Sequence, residues 1–127
     1  MKKVFTIAIL LAGSVMAFTQ TAPRHIDFTQ VLTGLDSRPI LNTDAKPPAA
    51  FTLGDVAVNA LENQIDEDRN LAGSVKFDRD QLARKIYHAK AAILTAEEIA
   101  LIKERIGKLY GPLIVGAAWP LIDPAMK

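Results

Sequence analysis

The segment from Leu94 to Tyr110 carries the clearest helix signals in the chain and constrains its fold more than any other stretch. Thr95 can cap the start of a helix with its hydroxyl, and Glu98 stands where its carboxylate completes a capping box. The helix that they begin has one apolar face, which neighbouring segments must cover. The residues of that face are Ile99, Ile102, Ile106, Leu109 and Tyr110. We therefore expect this face to lie in the core of a domain. A ligand groove is the alternative interpretation.

The length and composition of the chain suit a single folded domain. Its 127 residues are enough for one core, half of them are hydrophobic, and the formal net charge is +1. These values argue against a disordered tail and against a general polyanion binder. The chain has no cysteine, which excludes disulfides, cysteine metal ligands and a cysteine nucleophile.

Residues 1–17 have the layout of a secretory signal peptide. Lys2 and Lys3 precede a largely apolar run from Val4, and Val15-Met16-Ala17 offers permitted residues at a signal-peptidase site. The run is short for a membrane span. We predict a signal peptide at 1–17, a linker at 18–25 and one small globular domain at 26–127. Cleavage predicts export to the periplasm or the medium. The alternative is a cytoplasmic protein whose first residues pack on the domain.

The segments before the Leu94–Tyr110 helix predict an α+β fold that is mainly helical. Ile26–Leu32 and Ile40-Leu41 flank a stretch of turn-forming residues, so we expect an N-terminal β-hairpin. Thr52 and Asp55 repeat the capping pattern and predict an amphipathic helix that runs to about Ile65.

Another amphipathic helix is predicted to begin near Asp78, with Phe77 and Leu82 as a hydrophobic staple. Its apolar stripe would comprise Leu82, Ile86, Ala89 and Ile93. We expect it to pass almost directly into the Leu94–Tyr110 helix, as an αα-hairpin or corner.

The C-terminal segment Leu113–Trp119 is apolar on every side and predicts a short helix buried on most of its faces. Pro120 should kink or end it. The predicted fold is thus an N-terminal β-hairpin, three amphipathic helices and a short apolar C-terminal helix.

Three groups of residues together resemble small proteins encoded by phages and prophages. They are Thr52-Leu53-Gly54-Asp55, then Leu94-Thr95-Ala96-Glu97-Glu98-Ile99 with Leu101-Ile102-Lys103, then Pro112-Leu113-Ile114-Val115-Gly116 with Ala118-Trp119. The resemblance covers about residues 26–123 and rests on structural signals. Those proteins have no assigned activity, so the resemblance implies no functional residue. They usually start near the hairpin, and residues 1–17 depart from that pattern.

The residue patterns predict no catalytic, cofactor or metal site. Asp66, Asp68 and Asn70 match early ligand positions of an EF-hand loop, but Leu71 replaces its glycine and Phe77 its bidentate glutamate. We therefore interpret this stretch as a solvated charged loop.

The two histidines, His25 and His88, are far apart in the sequence and make a weak case for zinc or catalysis. If the Leu94–Tyr110 helix were the recognition helix of a helix-turn-helix, Glu97 and Glu98 would repel DNA phosphates.

The favoured functional hypothesis is a non-enzymatic module that binds another protein or a second copy of itself. Its candidate interface residues are Trp119, Leu113 and Ile114, because apolar patches with an aromatic residue mark protein interfaces. For Trp119, burial in the core is the preferred alternative.

Two other hypotheses stay open. One is a small exported enzyme or ligand-binding domain whose site is assembled from loops, with Asp66, Glu67, Asp68 and His88 as its first candidates. The other is a nucleic-acid-binding accessory protein.

Overall fold

A computed structural model describes residues 22–126, which form an α+β fold that is mainly helical. Within this range the α-helices are α1 (Leu53–Glu62), α2 (Gly73–Ala89), α3 (Ala96–Leu109) and α4 (Pro112–Ile122), and two short 3₁₀ helices lie at Asp66–Asp68 and Pro124–Met126. The strands are β1 (Arg24–Asp27), β2 (Leu41–Asn42), β3 (Ala49–Ala50) and β4 (Ala91–Leu94). The predicted leader at 1–17 lies outside the described residues. Arg24 and His25, predicted as linker, belong to β1.

Helices α1 and α3 begin where the sequence predicts. The Thr95 hydroxyl accepts a hydrogen bond from the Glu98 N–H at 3.1 Å, and the Glu98 carboxylate accepts one from the Thr95 N–H at 2.9 Å. Thr52 and Asp55 exchange the same pair of bonds at the start of α1, each 3.1 Å long. Both capping boxes are therefore confirmed.

The Thr95→Ala variant should lose about 1 kcal/mol of the free energy of unfolding, because a first-turn N–H of α3 loses its acceptor. Urea denaturation followed by circular dichroism measures this loss. Thr43→Ala is the matched control, because Thr43 is an exposed threonine between β2 and β3. Equal losses in the two variants would show that the cap contributes nothing.

The apolar face of α3 is part of the core, as predicted. Ile102 and Ile106 are fully buried, Ile99 is buried, and Leu109 and Tyr110 pack against the cluster from its edge. Helix α1 packs against α2, α3 and α4 and so lies at the centre of the fold. The core also contains Ile26, Phe28, Leu32, Leu53, Val56, Leu61, Leu82, Ile86, Leu94 and Ile122.

The predicted N-terminal hairpin is present only as a narrow turn. The Ile40 N–H donates to the Leu32 carbonyl at 2.9 Å, and Thr33 and Pro39 form an isolated bridge. The strand that contains Ile26 pairs instead with β4 in antiparallel register. This pairing buries Ile26 beside Ala92 and Leu94. The hairpin was predicted from local turn-forming residues, which carry no information about a partner strand so distant in the sequence.

Helix α2 differs from its prediction at both ends. It begins at Gly73, so the capping box and staple predicted around Asp78 and Phe77 are wrong, and both side chains are exposed on the helix. It ends at Ala89, because the next residue, Lys90, has a left-handed conformation (φ 56°) that terminates a helix. Strand β4 then separates α2 from α3, and Ile93 is an exposed strand residue rather than part of a helical stripe.

Candidate functional site

Helix α4 presents an apolar surface that the described residues cover only in part. The helix contains no charged residue, yet only Ala118 and Ile122 are buried. Leu113 is 48% exposed, and Gly116 is also exposed. The expectation of burial on most faces is met only in part, because five further residues of α4 pack against the core but stay partly exposed. We call Leu113, Ile114, Gly116, Ala117 and Pro120 the α4 surface.

The three candidate interface residues have different surroundings. Leu113 projects from the first turn of α4, and Ile114 is half-buried beside the core. Trp119 is also half-buried. Its Nε1–H donates a hydrogen bond to the Lys103 carbonyl at 3.1 Å. The Lys103 ammonium lies 5.2 Å from the centroid of the indole ring, within range of a cation–π contact. Trp119 therefore attaches α4 to α3, while Leu113 and Gly116 of the α4 surface stay exposed. Pro120 lies inside the helix, which continues to Ile122 rather than ending there.

The C-terminal end of α4 is held by one carboxylate. Asp123 forms ion pairs with Lys103 of α3 at 3.2 Å and with Arg24 of β1 at 3.1 Å. These two hydrogen bonds, with Lys103 contributing most, lower the pKa of Asp123 from its ordinary value. The orientation of α4 is thus set from both its middle and its end.

The acidic loop is not simply solvated, because Asp68 is buried at the centre of an ion-pair network. Its two carboxylate oxygens lie 2.9 Å from Arg79 Nη1 and 2.9 Å from Arg105 Nη2. The Ile65 N–H also donates to this carboxylate, at 3.0 Å. The hydrogen bond from Ile65 lowers the pKa of Asp68 most, and the bonds from the two guanidinium groups lower it further. Burial acts in the opposite direction, but the pKa still lies well below its usual range. Asp68 is therefore a fixed anion and is unsuited to proton transfer.

The sequence patterns indicated neither arginine of this network, and Arg105 is the more deeply buried of the two. It is 1% exposed, and it donates from Nε to the Ala60 carbonyl at 3.0 Å and from Nη2 to the Asn63 carbonyl at 2.8 Å. One signal was available in the sequence, since Arg105 lies among the apolar residues of α3 that are predicted to be buried. A buried arginine nearly always has a partner, so this position could have indicated an ion pair. Nothing local identified Asp68 as that partner.

The structure does not bring together the four residues considered for a loop-assembled site. Asp66 pairs with Arg69 and Glu67 with Lys108, whereas Asp68 is enclosed. His88 lies in the last turn of α2, about 13 Å along the helix axis from Arg79. Within residues 22–126, no cluster of histidine and acidic side chains could hold a metal ion.

A groove of about 420 Å³ opens between the N-terminal end of α1 and the C-terminal end of α2. Phe28, Val58 and Ile86 line its apolar part, beside the exposed ring of Tyr87. Its polar lining includes Asp55, Asn59 and Lys90. The volume lies in the range of small-molecule sites. The sequence patterns did not single out this groove, because its walls come from four separate segments of the chain.

No helix within residues 22–126 is both long and apolar enough to cross a membrane. Likeness to phage and prophage proteins remains a prediction from the sequence patterns. Comparison with protein-family models, with curated proteins and with solved structures gives no match to this chain.

Proposed function

We propose that this protein is a non-enzymatic interaction module and that the α4 surface is its contact site. The observation that supports the proposal is an uncharged helix, Pro112–Ile122, held firmly at its Trp119 and Asp123 contacts but exposed at Leu113 and Gly116. Exposed apolar patches of this kind are typical of protein-binding surfaces. A helix with a fixed orientation presents such a patch with little loss of conformational entropy on binding.

A second copy of the chain is the partner that this surface fits most simply. Leu113, Gly116, Ala117 and Pro120 recur at helical spacing, so they form one strip along α4. Among the described residues, and apart from the backbone of α4 and the two residues adjacent to Gly116, no atom lies within 4 Å of the position that a Gly116 Cβ would occupy. Another helix can therefore approach closely there. Two copies related by a twofold axis would pair their α4 helices antiparallel. Each positive helix N-terminus would then lie near the partner's Asp123 end, which is favourable.

The Leu113→Glu variant should weaken self-association at least about tenfold, because it places a charge in the apolar contact. Sedimentation velocity over a range of protein concentrations measures the monomer–dimer equilibrium. Leu35→Glu is the matched control, because Leu35 is 99% exposed in the turn between Thr33 and Pro39 and lies outside the α4 surface.

The same pair of variants tests the wider proposal of a different protein partner. Immobilised wild-type protein should retain a partner from lysate that Leu113→Glu loses and Leu35→Glu keeps. A wild-type protein that is monomeric at every concentration, with equal retention by both variants, would contradict both forms of the proposal.

A further inference from the structure

We propose that a pocket between the C-terminal end of α1 and the first half of α2 binds a small monocarboxylate, either a short free acid or the C-terminus of a peptide. We call it the Arg79 pocket, and its lining includes Leu61, Gln64, Lys76 and Arg79. It is separate from the α4 surface and does not depend on the function proposed for that surface. The inference rests on an unused edge of Arg79, on the charge of the buried ion-pair network and on the lining of the pocket.

Arg79 uses only part of its guanidinium group. Among residues 22–126 its one side-chain hydrogen bond runs from Nη1 to Asp68, at 2.9 Å. Its Nε is buried and has no acceptor in this part of the chain. The edge formed by Nε and Nη2 is therefore unused, and an arginine edge of this kind binds a carboxylate through two parallel hydrogen bonds. Buried N–H groups nearly always have a partner, so this one indicates a ligand or an ordered water molecule.

The charge of the buried network favours an anion over water. Within residues 22–126 one carboxylate, that of Asp68, pairs with both Arg79 and Arg105. The two arginine side chains are 14% and 1% exposed, so solvent screens the excess positive charge only weakly. A water molecule would satisfy Nε of Arg79 but would leave that excess charge. A ligand with one negative charge satisfies the N–H group and balances the charge.

The Arg79 pocket has the volume and the further contacts that such a ligand needs. Its volume is about 150 Å³. A single water molecule requires roughly 10–15 Å³, so a carboxyl group with a short chain can enter. Lys76 precedes Arg79 by three residues and so lies beside it on α2. It belongs to no ion pair within residues 22–126, which leaves its ammonium group for an anion. Leu61 adds an apolar contact and Gln64 a side-chain amide.

Glu62 is the second acidic residue at this pocket, beside Asp68, and it leaves the edge of Arg79 open. It lines the pocket but belongs to no ion pair in the described part of the chain. Desolvation, followed by the neighbouring Asp80, raises the pKa of Glu62 from its ordinary value. Contact with the guanidinium group of Arg79 would lower this pKa instead. The acceptor that Arg79 lacks is therefore not supplied by this carboxylate.

The test is a titration of the full chain, labelled with ¹⁵N, with sodium acetate at neutral pH, in which sodium chloride keeps the ionic strength constant. The Nε–H resonance of Arg79 should shift saturably, because the carboxylate accepts a hydrogen bond from it. The Arg79→Lys protein identifies this resonance by its loss. Absence of a saturable shift up to about 100 mM acetate would overturn the proposal.

Other ligands test the charge and the source of the carboxylate. Acetamide and sulfate should each bind at least about tenfold more weakly than acetate, because acetamide has no charge and sulfate brings a second negative charge. Binding of either one as tight as that of acetate would contradict a monocarboxylate site. N-acetylglycine, which imitates a peptide C-terminus, should bind more tightly than acetate if a peptide is the source, and no more tightly if a free acid is.

Substitutions separate binding from folding, with binding followed at the backbone amide of Asn63 beside the pocket. Arg79→Lys keeps the charge but lacks the Nε–H group, so it should weaken acetate binding at least about tenfold. Lys76→Ala should weaken it about threefold and keep the wild-type thermal midpoint, because Lys76 is exposed. Lys46→Ala is the matched control, since Lys46 is an exposed lysine between β2 and β3, outside the pocket. Equal acetate binding by the Lys76→Ala and Lys46→Ala proteins would rule out the proposed site.

Discussion

The Asp68→Ala variant should lose about 3–5 kcal/mol of the free energy of unfolding, the largest effect expected of any charged side chain described here. The substitution removes the carboxylate that neutralises both Arg79 and Arg105. The Arg105 side chain is almost completely buried. Two desolvated guanidinium groups would then lie close together without a carboxylate between them. The Ile65 N–H would also lose its acceptor.

Urea denaturation at neutral pH measures this loss. Asp66→Ala is the matched control, because Asp66 is an exposed neighbour whose ion pair with Arg69 should contribute less than about 1 kcal/mol. Similar losses in the two variants would show that the buried network contributes no more than a surface pair.

The pH dependence of stability provides a second readout of the same substitution. The pKa of Asp68 is lower in the folded protein than in the unfolded chain, so its contribution is complete above the unfolded value of about 4. That contribution decreases as the pH falls from about 4 toward the folded pKa, because the unfolded chain binds the proton first. Asp68→Asn should therefore lose less stability on acidification than the wild-type protein. Parallel pH profiles for the two proteins would contradict the assigned role.

The Ile102→Ala and Ile106→Ala variants should each lose about 2–5 kcal/mol, through lost apolar burial and the cavity that remains. Both side chains are fully buried between α3 and its neighbours. Ile93→Ala is the matched control on an exposed strand position, where about 0.5 kcal/mol or less is expected. Near-neutral effects at both buried isoleucines would mean that this face of α3 does not organise the core.

The features that the sequence predicted correctly depend on residues close together in the chain. The capping boxes at Thr52 and Thr95 join residues three positions apart, so the bonding partners can be read directly from the sequence. The apolar face of α3 follows from helical periodicity alone. Helix α2 was less well predicted because its start at Ala72 has no side-chain cap, whereas a misleading capping pattern occurs near Asp78.

Tertiary structure alone decided which distant groups meet and which surfaces stay uncovered. The Asp68 carboxylate is bound by Arg105, 37 residues away, and β1 pairs with β4 across most of the described chain. Neither pairing has a local signature, because the sequence pattern shows at most that a residue is apolar or needs a partner, and not which distant residue it meets. The same reason applies to α4 and to the groove beside Tyr87. Composition shows that a segment is apolar, but its exposure depends on how much of it the rest of the fold can cover.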